Sequence, residues 1–197
     1  MNPDLKDISA LKRDITFSAS LRGNSLTFHS TWGLFSPTAV DEGSRLLIEE
    51  MEVRPTDAIL DVGCGYGALG LFAASLAPQG TADLVDKDFV AVDYAKKNVT
   101  VNHLSNATVY LSNLLSHVPR EKKFDVILSN PPAQGGRDLL SILLHDAKAH
   151  LKPGGKIYFV TVSGLKEFIK RNFQEVFGNY EKVRQGKTYT VALAKNE

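Results

Sequence analysis

From Ala58 onward the chain alternates between two textures. Short runs dense in Val, Ile and Leu are separated by longer stretches in which apolar residues return every three or four positions, the spacings of buried strands and of helices packed by one face. The runs predict strands at 58–62, 81–86, 108–111, 124–129 and 156–161, and the longer stretches predict helices at 68–76, 90–102, 137–150 and 164–173. Strands with no polar face are covered on both sides, as in a parallel sheet wound by helices. Leu151-Lys152-Pro153-Gly154-Gly155 reads as a stop and turn before strand 156–161. The tail Tyr189-Thr190-Val191-Ala192-Leu193-Ala194 reads as a last strand, with 175–180 as the other arm of a hairpin across the polar stretch 184–187. The expected fold is α/β: a doubly wound, mostly parallel seven-stranded sheet with an antiparallel C-terminal hairpin.

The first forty residues have another pattern. Segments 13–20 and 25–29 alternate loosely around Arg22-Gly23-Asn24, which predicts a small hairpin at the edge or mouth of the main fold. Thr31-Trp32-Gly33-Leu34-Phe35-Ser36-Pro37 follows, a loop with two aromatic rings that reads either as an apolar staple over the sheet or as a lid on a pocket. Ser36 as N-cap and Pro37 in the first turn then predict a helix over 38–51 with Val40, Leu46, Leu47, Ile48 and Met51 on its apolar stripe. Asp41 and Arg45 stand four apart on it, the spacing of a surface ion pair. The chain thus divides into an N-terminal extension, 1–37, and a main unit, 38–197, which read together as one compact body.

Candidate chemistry gathers where the predicted strands end. In Asp61-Val62-Gly63-Cys64-Gly65-Tyr66-Gly67 the glycines let backbone turn tightly and approach a ligand, and the helix that follows offers it unpaired N–H groups. The spacing lacks the further glycine of the dinucleotide fingerprint and favours a nucleoside without a pyrophosphate. Asp61, Gly63, Cys64, Gly65 and Gly67 are the loop residues expected to hold it. The next strand ends in Asp86, placed to accept two hydrogen bonds from a ribose diol, with Lys87 beside it. Asp83 competes from within the strand, and Asp88 reads as the cap of the following helix. Asn113, after the third of these strands, either reads the amino group of an adenine or bonds its own backbone. Asn130-Pro131-Pro132 ends the fourth: a side-chain carbonyl and a prolyl carbonyl stand at the sheet edge, while the prolines stiffen the backbone and remove two N–H donors. Such an array of acceptors suits a planar amine with two hydrogens to donate; the bland alternative is a stiff turn.

Composition narrows the partners. Lys and Arg total 23 against 22 acidic residues, so contact with a nucleic acid has to come from a local patch. Lys12, Arg13 and Arg22 at the front, Arg137 beside the acceptor motif, and Lys166, Lys170 and Arg171 on a late helix are the candidates. Cys64 is the only cysteine and the five histidines lack ligand spacing, so neither a disulfide nor a metal site is expected. No apolar run approaches the ~20 residues that span a bilayer, and the N-terminus lacks a leader's pattern, so the expectation is a cytoplasmic protein with no membrane contact.

In order along the chain, Gly33-Leu34-Phe35-Ser36, Asp41-x-Gly43-Ser44-x-Leu46-Leu47, Leu60-Asp61-Val62-Gly63-Cys64-Gly65-x-Gly67, Asp86-x-Asp88-x-x-Ala91-Val92-x-x-Ala95-x-x-Asn98, Ser112-Asn113 and Asn130-Pro131-Pro132 resemble the class I S-adenosylmethionine-dependent methyltransferases of the small methyltransferase domain type. Members of that family include ribosomal RNA guanine exocyclic-amine methyltransferases. The resemblance implies a Rossmann-like fold, with S-adenosylmethionine as cofactor and its methionine moiety over the glycine loop. It further implies Asp86 on the ribose hydroxyls, Asn113 near the adenine, and Asn130, also counted among the residues beside the cofactor, with the Pro131 carbonyl on the target amine. It puts guanine in ribosomal RNA first as the target; an adenine or tRNA amine, or a protein glutamine side chain, is the alternative. Many relatives place an aromatic residue directly after the two prolines to stack on the base, whereas this chain has Ala133-Gln134-Gly135-Gly136. Trp32, Phe35 and Phe28 are then the candidate stacking surfaces, and Pro132, Ala133, Gln134 and Arg137 the other candidate substrate contacts. The ribosomal enzymes also carry an N-terminal domain for which this chain is too short, so docking is expected to use the single domain, a partner protein or a second copy.

Overall fold

The computed structural model describes residues 14–132 and 136–197. Its strands are β1 (Ile15–Leu21), β2 (Asn24–Ser30), β3 (Ala58–Val62), β4 (Thr81–Asp86), β5 (Ala107–Leu111), β6 (Phe124–Ser129), β7 (Leu151–Val162), β8 (Glu181–Gln185) and β9 (Tyr189–Lys195). Its helices are α1 (Glu42–Glu50), α2 (Ala68–Leu76), α3 (Phe89–Val101), α4 (Arg137–His150) and α5 (Lys166–Phe177). Among the described residues the main sheet has seven strands in the order β5-β4-β3-β6-β7-β9-β8. The first five are parallel, and β9 runs antiparallel to both β7 and β8.

Period-two alternation along each central strand feeds two cores. Ile59, Val126, Leu128, Tyr158 and Val160 face α1, α2 and α3 on one side; Leu60, Ile127, Ile157 and Phe159 face α4 and α5 on the other. The β1–β2 hairpin lies on the first side, where Phe28 is fully buried and meets Phe17, Tyr66 and Phe72. Its free edge is closed by two side chains one helical turn apart. The amides of Asn98 on α3 and of Asn102 at its C-cap each accept a backbone N–H (His29 and Thr27, at 2.7 and 2.8 Å) and donate to the same residue's carbonyl at 2.9 and 2.7 Å. At Thr27 and His29 they take the place of a neighbouring strand.

Three elements depart from the sequence-based expectation. The helix predicted from Thr38 starts later, because Asp41 rather than Ser36 is its N-cap: Asp41 Oδ1 accepts the Ser44 N–H at 3.0 Å. Ser36 takes a left-handed φ of 48° and its hydroxyl bonds the Ala39 carbonyl at 2.7 Å, closing the aromatic loop instead. Strand β7 begins at Leu151, where the turn was expected. Leu151 pairs with Phe124, and an irregularity around Pro153-Gly154-Gly155 precedes the regular ladder that starts at Lys156. Finally, α5 runs through 175–177 and ends at Gly178 with φ 78°, so the arm of the hairpin is 181–185 and not 175–180. That strand is polar because it is the sheet edge and only Val183 turns towards the core.

Candidate functional site

The order of the sheet reverses between β3 and β6, and the crevice opens at the carboxyl ends of these two strands. Their ladder stops at the Asp61–Leu128 pair; beyond it the Ser129 hydroxyl, and not a backbone amide, reaches the Val62 carbonyl at 2.8 Å. One wall is the turn after β3. Gly63 and Cys64 N–H both donate to the Val85 carbonyl, and Gly65 N–H donates to Asp86 Oδ2 at 2.8 Å, so the loop is tied to the end of β4. Gly63, Gly65 and Gly67 have φ values of 75°, 56° and 98°, a region that L side chains rarely enter. An added Cβ would meet nothing at Gly63 or Gly65 but would strike Leu71 and Leu84 at Gly67. The first two glycines therefore leave bare backbone facing the crevice, and the third lets α2 pack on β4.

Gly67 caps α2 without a side chain, and Asp61 supplies what it lacks: Oδ2 accepts the Gly70 N–H at 2.8 Å in the first turn. Asp61 is fully buried, its Oδ1 has no hydrogen-bond partner among the described residues, and burial raises its carboxyl to about 7. The Cys64 thiol is also buried and pushed well up by burial. Asp86 is half-buried and takes the Gly65 and Asp88 N–H groups on its two oxygens. Its competitors have other tasks. Asp83 is buried against Tyr110 and Lys122, both at 2.7 Å, and Asp88 caps α3 through the Val90 N–H. Lys87 and Asn113 are exposed at the ends of β4 and β5; the Asn113 side chain makes no hydrogen bond to the described residues, while the neighbouring Ser112 hydroxyl organises that turn.

The opposite wall is Asn130-Pro131-Pro132 at the end of β6. The Asn130 amide donates to Asp41 Oδ1 at 3.2 Å and to Ser44 Oγ at 3.0 Å, both in the first turn of α1. Asp41 is thereby turned to Ser44 and Asn130 and not to Arg45, contrary to the surface-pair expectation. The aromatic loop before α1 is anchored by buried Leu34 and Val40 and by the Tyr66 hydroxyl, which donates to the Ala39 carbonyl at 3.1 Å. Trp32 and Phe35 stand out of it, 55% and 66% exposed, whereas Phe28 lies in the core and is excluded as a stacking surface. Phe89, 69% exposed at the start of α3, adds a third exposed ring three residues beyond Asp86; sequence reasoning passed over it, although an aromatic directly after a helix cap was there to be read.

Among the basic candidates, Arg22 belongs elsewhere. It donates to the Met51 and Ile48 carbonyls at the far end of α1, on the opposite edge of the sheet. Lys166 follows the carboxyl end of β7, at the crevice edge, and Lys170 and Arg171 lie exposed farther along α5. Lys12, Arg13, Ala133, Gln134 and the Arg137 side chain lie outside the described residues. Among the described residues no helix is long and apolar enough to cross a membrane, and no cluster of three or more His, Cys, Asp or Glu could hold a metal ion.

A glycine turn and a carboxylate on one side and the Asn130 amide on the other, at the switch point of an open parallel sheet, define a protein of the doubly wound class whose candidate ligand site lies at that point. More narrowly, the chain belongs to the methyltransferase small domain family, whose model matches residues 25–193. It is 36% identical to YbxB of Bacillus subtilis over 91% of its own length and 90% of that protein's. It is 31% identical to ribosomal RNA small subunit methyltransferase C of Haemophilus influenzae, over 87% of this chain and 52% of the relative. The T. thermophilus 16S rRNA N2 G1207 methyltransferase, solved in complex with AdoMet and guanosine, superposes with a TM-score of 0.83 at 31% identity, over 93% of this chain and 51% of that one. The chain thus spans about half the length of these ribosomal RNA methyltransferases and most of YbxB.

Proposed function

We propose that this chain is an S-adenosylmethionine-dependent N-methyltransferase acting on the exocyclic amine of a nucleobase, guanine in ribosomal RNA. The reading rests on the placement of a glycine cradle and the Asn130 amide at one switch point. The residues fit the cofactor: Gly63 and Gly65 present open backbone, and Asp86 stands beside them with a carboxylate for a ribose diol. Gly63, the Cys64 backbone, Gly65, Asp86, Lys87 and Asn113 would hold it, with Asp61 and Gly67 fixing the loop and α2 behind them. When bound, S-adenosylmethionine supplies a methyl group activated on a sulfonium for transfer to a nucleophilic nitrogen.

The rest falls to the acceptor wall. Asn130 Oδ1 and the Pro131 carbonyl take the two hydrogens of the target amine. In guanine the lone pair of that nitrogen is drawn into the ring; acceptors on its hydrogens favour the more tetrahedral geometry and offset the positive charge that develops. Orientation, rather than a general base, carries most of the rate. Trp32 and Phe35 supply stacking surface that the segment after Pro132 lacks, with Pro132, Ala133, Gln134 and Arg137 as neighbouring contacts. Lys166 at the rim faces the RNA backbone, and a partner protein or a second copy extends the docking surface. The names of the relatives, with guanosine in one of them, support ribosomal RNA and guanine.

Incubating the protein with an unmodified 16S rRNA transcript and methyl-tritiated cofactor, followed by nucleoside mass spectrometry, should give N2-methylguanosine. Label in ribose or on a ring carbon contradicts the amine assignment. Methylated adenine moves the target to another base, and label confined to protein glutamine replaces RNA altogether.

A further inference from the structure

The segment Asp41-x-Gly43-Ser44 has no place in the reaction described so far, yet it touches Asn130. An Asn amide can sit in either of two nearly isosteric orientations, one presenting oxygen to a ligand and the other N–H groups; its neighbours decide. Here the neighbours are Asp41 Oδ1 at 3.2 Å and Ser44 Oγ at 3.0 Å. A carboxylate only accepts, so an Asn130 oxygen turned towards it would face a negative charge with no hydrogen between them. Asp41 cannot swing away, because the same Oδ1 caps α1 through the Ser44 N–H at 3.0 Å. Gly43 makes the arrangement compact: a Cβ there would lie 2.9 Å from the Tyr189 ring and 3.1 Å from Asp41 Oδ1. Tyr189 opens β9, so the C-terminal hairpin braces the cap from behind.

We propose that Asp41 and Ser44 are positioning residues that consume both N–H groups of Asn130 and lock its oxygen towards the substrate, so that the site accepts only a hydrogen-bond donor there. Gly43 provides the room for this lock. The proposal rests on the reading of Asn130 as the acceptor for the target amine, and it turns that reading into selectivity: an amine is admitted, whereas a carbonyl oxygen at the same place meets a second acceptor.

The lock can be tested on the full chain without knowledge of the natural RNA. In 15N NMR spectra, with the Asn130 side-chain amide identified by its loss in Asn130→Ala, its two protons should exchange slowly in the wild type. They should exchange at least ~10-fold faster in the double variant Asp41→Ser/Ser44→Ala, which keeps a good helix cap. Fast exchange in the wild type, or unchanged exchange in the double variant, overturns the lock. With the 16S rRNA transcript, the double variant should lose kcat by ~10-fold or more while the Kd for S-adenosylmethionine and the KM for RNA stay within about twofold. Asp41→Asn, which keeps an acceptor oxygen at the cap, should restore most of the turnover. A parallel loss of cofactor binding shows a merely structural role and overturns the proposal. Full turnover of the double variant alongside an inactive Asn130→Ala also overturns it but leaves the acceptor reading standing; full turnover of Asn130→Ala itself removes both.

Discussion

The two walls of the crevice are made by different means. The glycine wall comes from a single βαβ unit, residues 58–86, and nearly all of its bonds are backbone N–H groups meeting a carbonyl or carboxylate within that unit: Gly63 and Cys64 on Val85, Gly65 on Asp86, Gly70 on Asp61. The acceptor wall is assembled from side chains far apart in sequence, with 89 and 86 residues separating Asn130 from Asp41 and Ser44. A wall of backbone depends on φ and on missing Cβ atoms; a wall of side chains depends on partners. Damage to the first should therefore disturb folding and cofactor together, whereas damage to the second should leave both intact and reach only turnover.

Gly67→Ala is the harshest test of the first wall. A Cβ at φ 98° with Leu71 at 2.4 Å should cost about 2–4 kcal/mol in urea unfolding and weaken S-adenosylmethionine in calorimetry. A variant that unfolds with the wild type would show that the backbone argument is misplaced. On the other wall, Asn130→Ala should lower kcat by ~10² or more with the cofactor Kd nearly unchanged; a weakened Kd would merge the two walls into one. Asp86→Ala should have a smaller effect than either. It removes the proposed diol contacts and the anchor of Gly65, and should weaken the cofactor by ~1.5–3 kcal/mol. Unchanged calorimetry would leave the ribose without an assigned acceptor.

Asp61 sharpens the comparison through pH. Its carboxyl titrates at about 7 in the fold, because burial raises it, against 3.8 as the ordinary value. The folded protein therefore holds a proton that the unfolded chain has released, and this group makes stability fall as pH rises from about 4 to about 7, by at most about 1.4 kcal/mol for each pH unit, with no further change above. Asp61→Asn should remove that decline. Equal slopes for variant and wild type in urea titrations across the window would place the burial penalty elsewhere. The smallest effects belong to the rim: Trp32→Ala and Phe35→Ala should each weaken RNA binding by about 1 kcal/mol or slightly more and leave cofactor affinity alone. Cofactor loss in either variant would make the loop a staple of the fold and not a substrate surface.

The same contrast governs how much could be read from the chain. The strands β3, β4 and β6 and the helix α2 carry their own periodicity and lie where the pattern puts them. Where local pattern failed, a neighbour had decided. Asp41 outcompeted Ser36 for the cap of α1, β8 formed from a polar stretch because an edge strand buries little, and Phe28, read as a candidate stacking surface, was taken into the core beside Tyr66. The Asp41–Arg45 spacing signalled an ion pair, and only the approach of β6 redirected the carboxylate to Asn130.

What the sequence by itself determined is the backbone of the site. Positive φ, a missing Cβ and a buried apolar run are properties of a residue and its near neighbours, so Gly63 to Gly67, Asp86 and the Asn130-Pro131-Pro132 edge were visible in one dimension. What only the tertiary structure decided is the direction of the side chains that act there. The Asn130 amide is oriented because Asp41 and Ser44 accept from its nitrogen. Asp61 is a buried clasp on α2 because the helix closes over it, and Trp32 and Phe35 stand exposed because Leu34 and Val40 fill the core beneath them. A hydrogen bond across 89 residues has no periodicity to betray it; it exists only once the sheet has brought its two ends together.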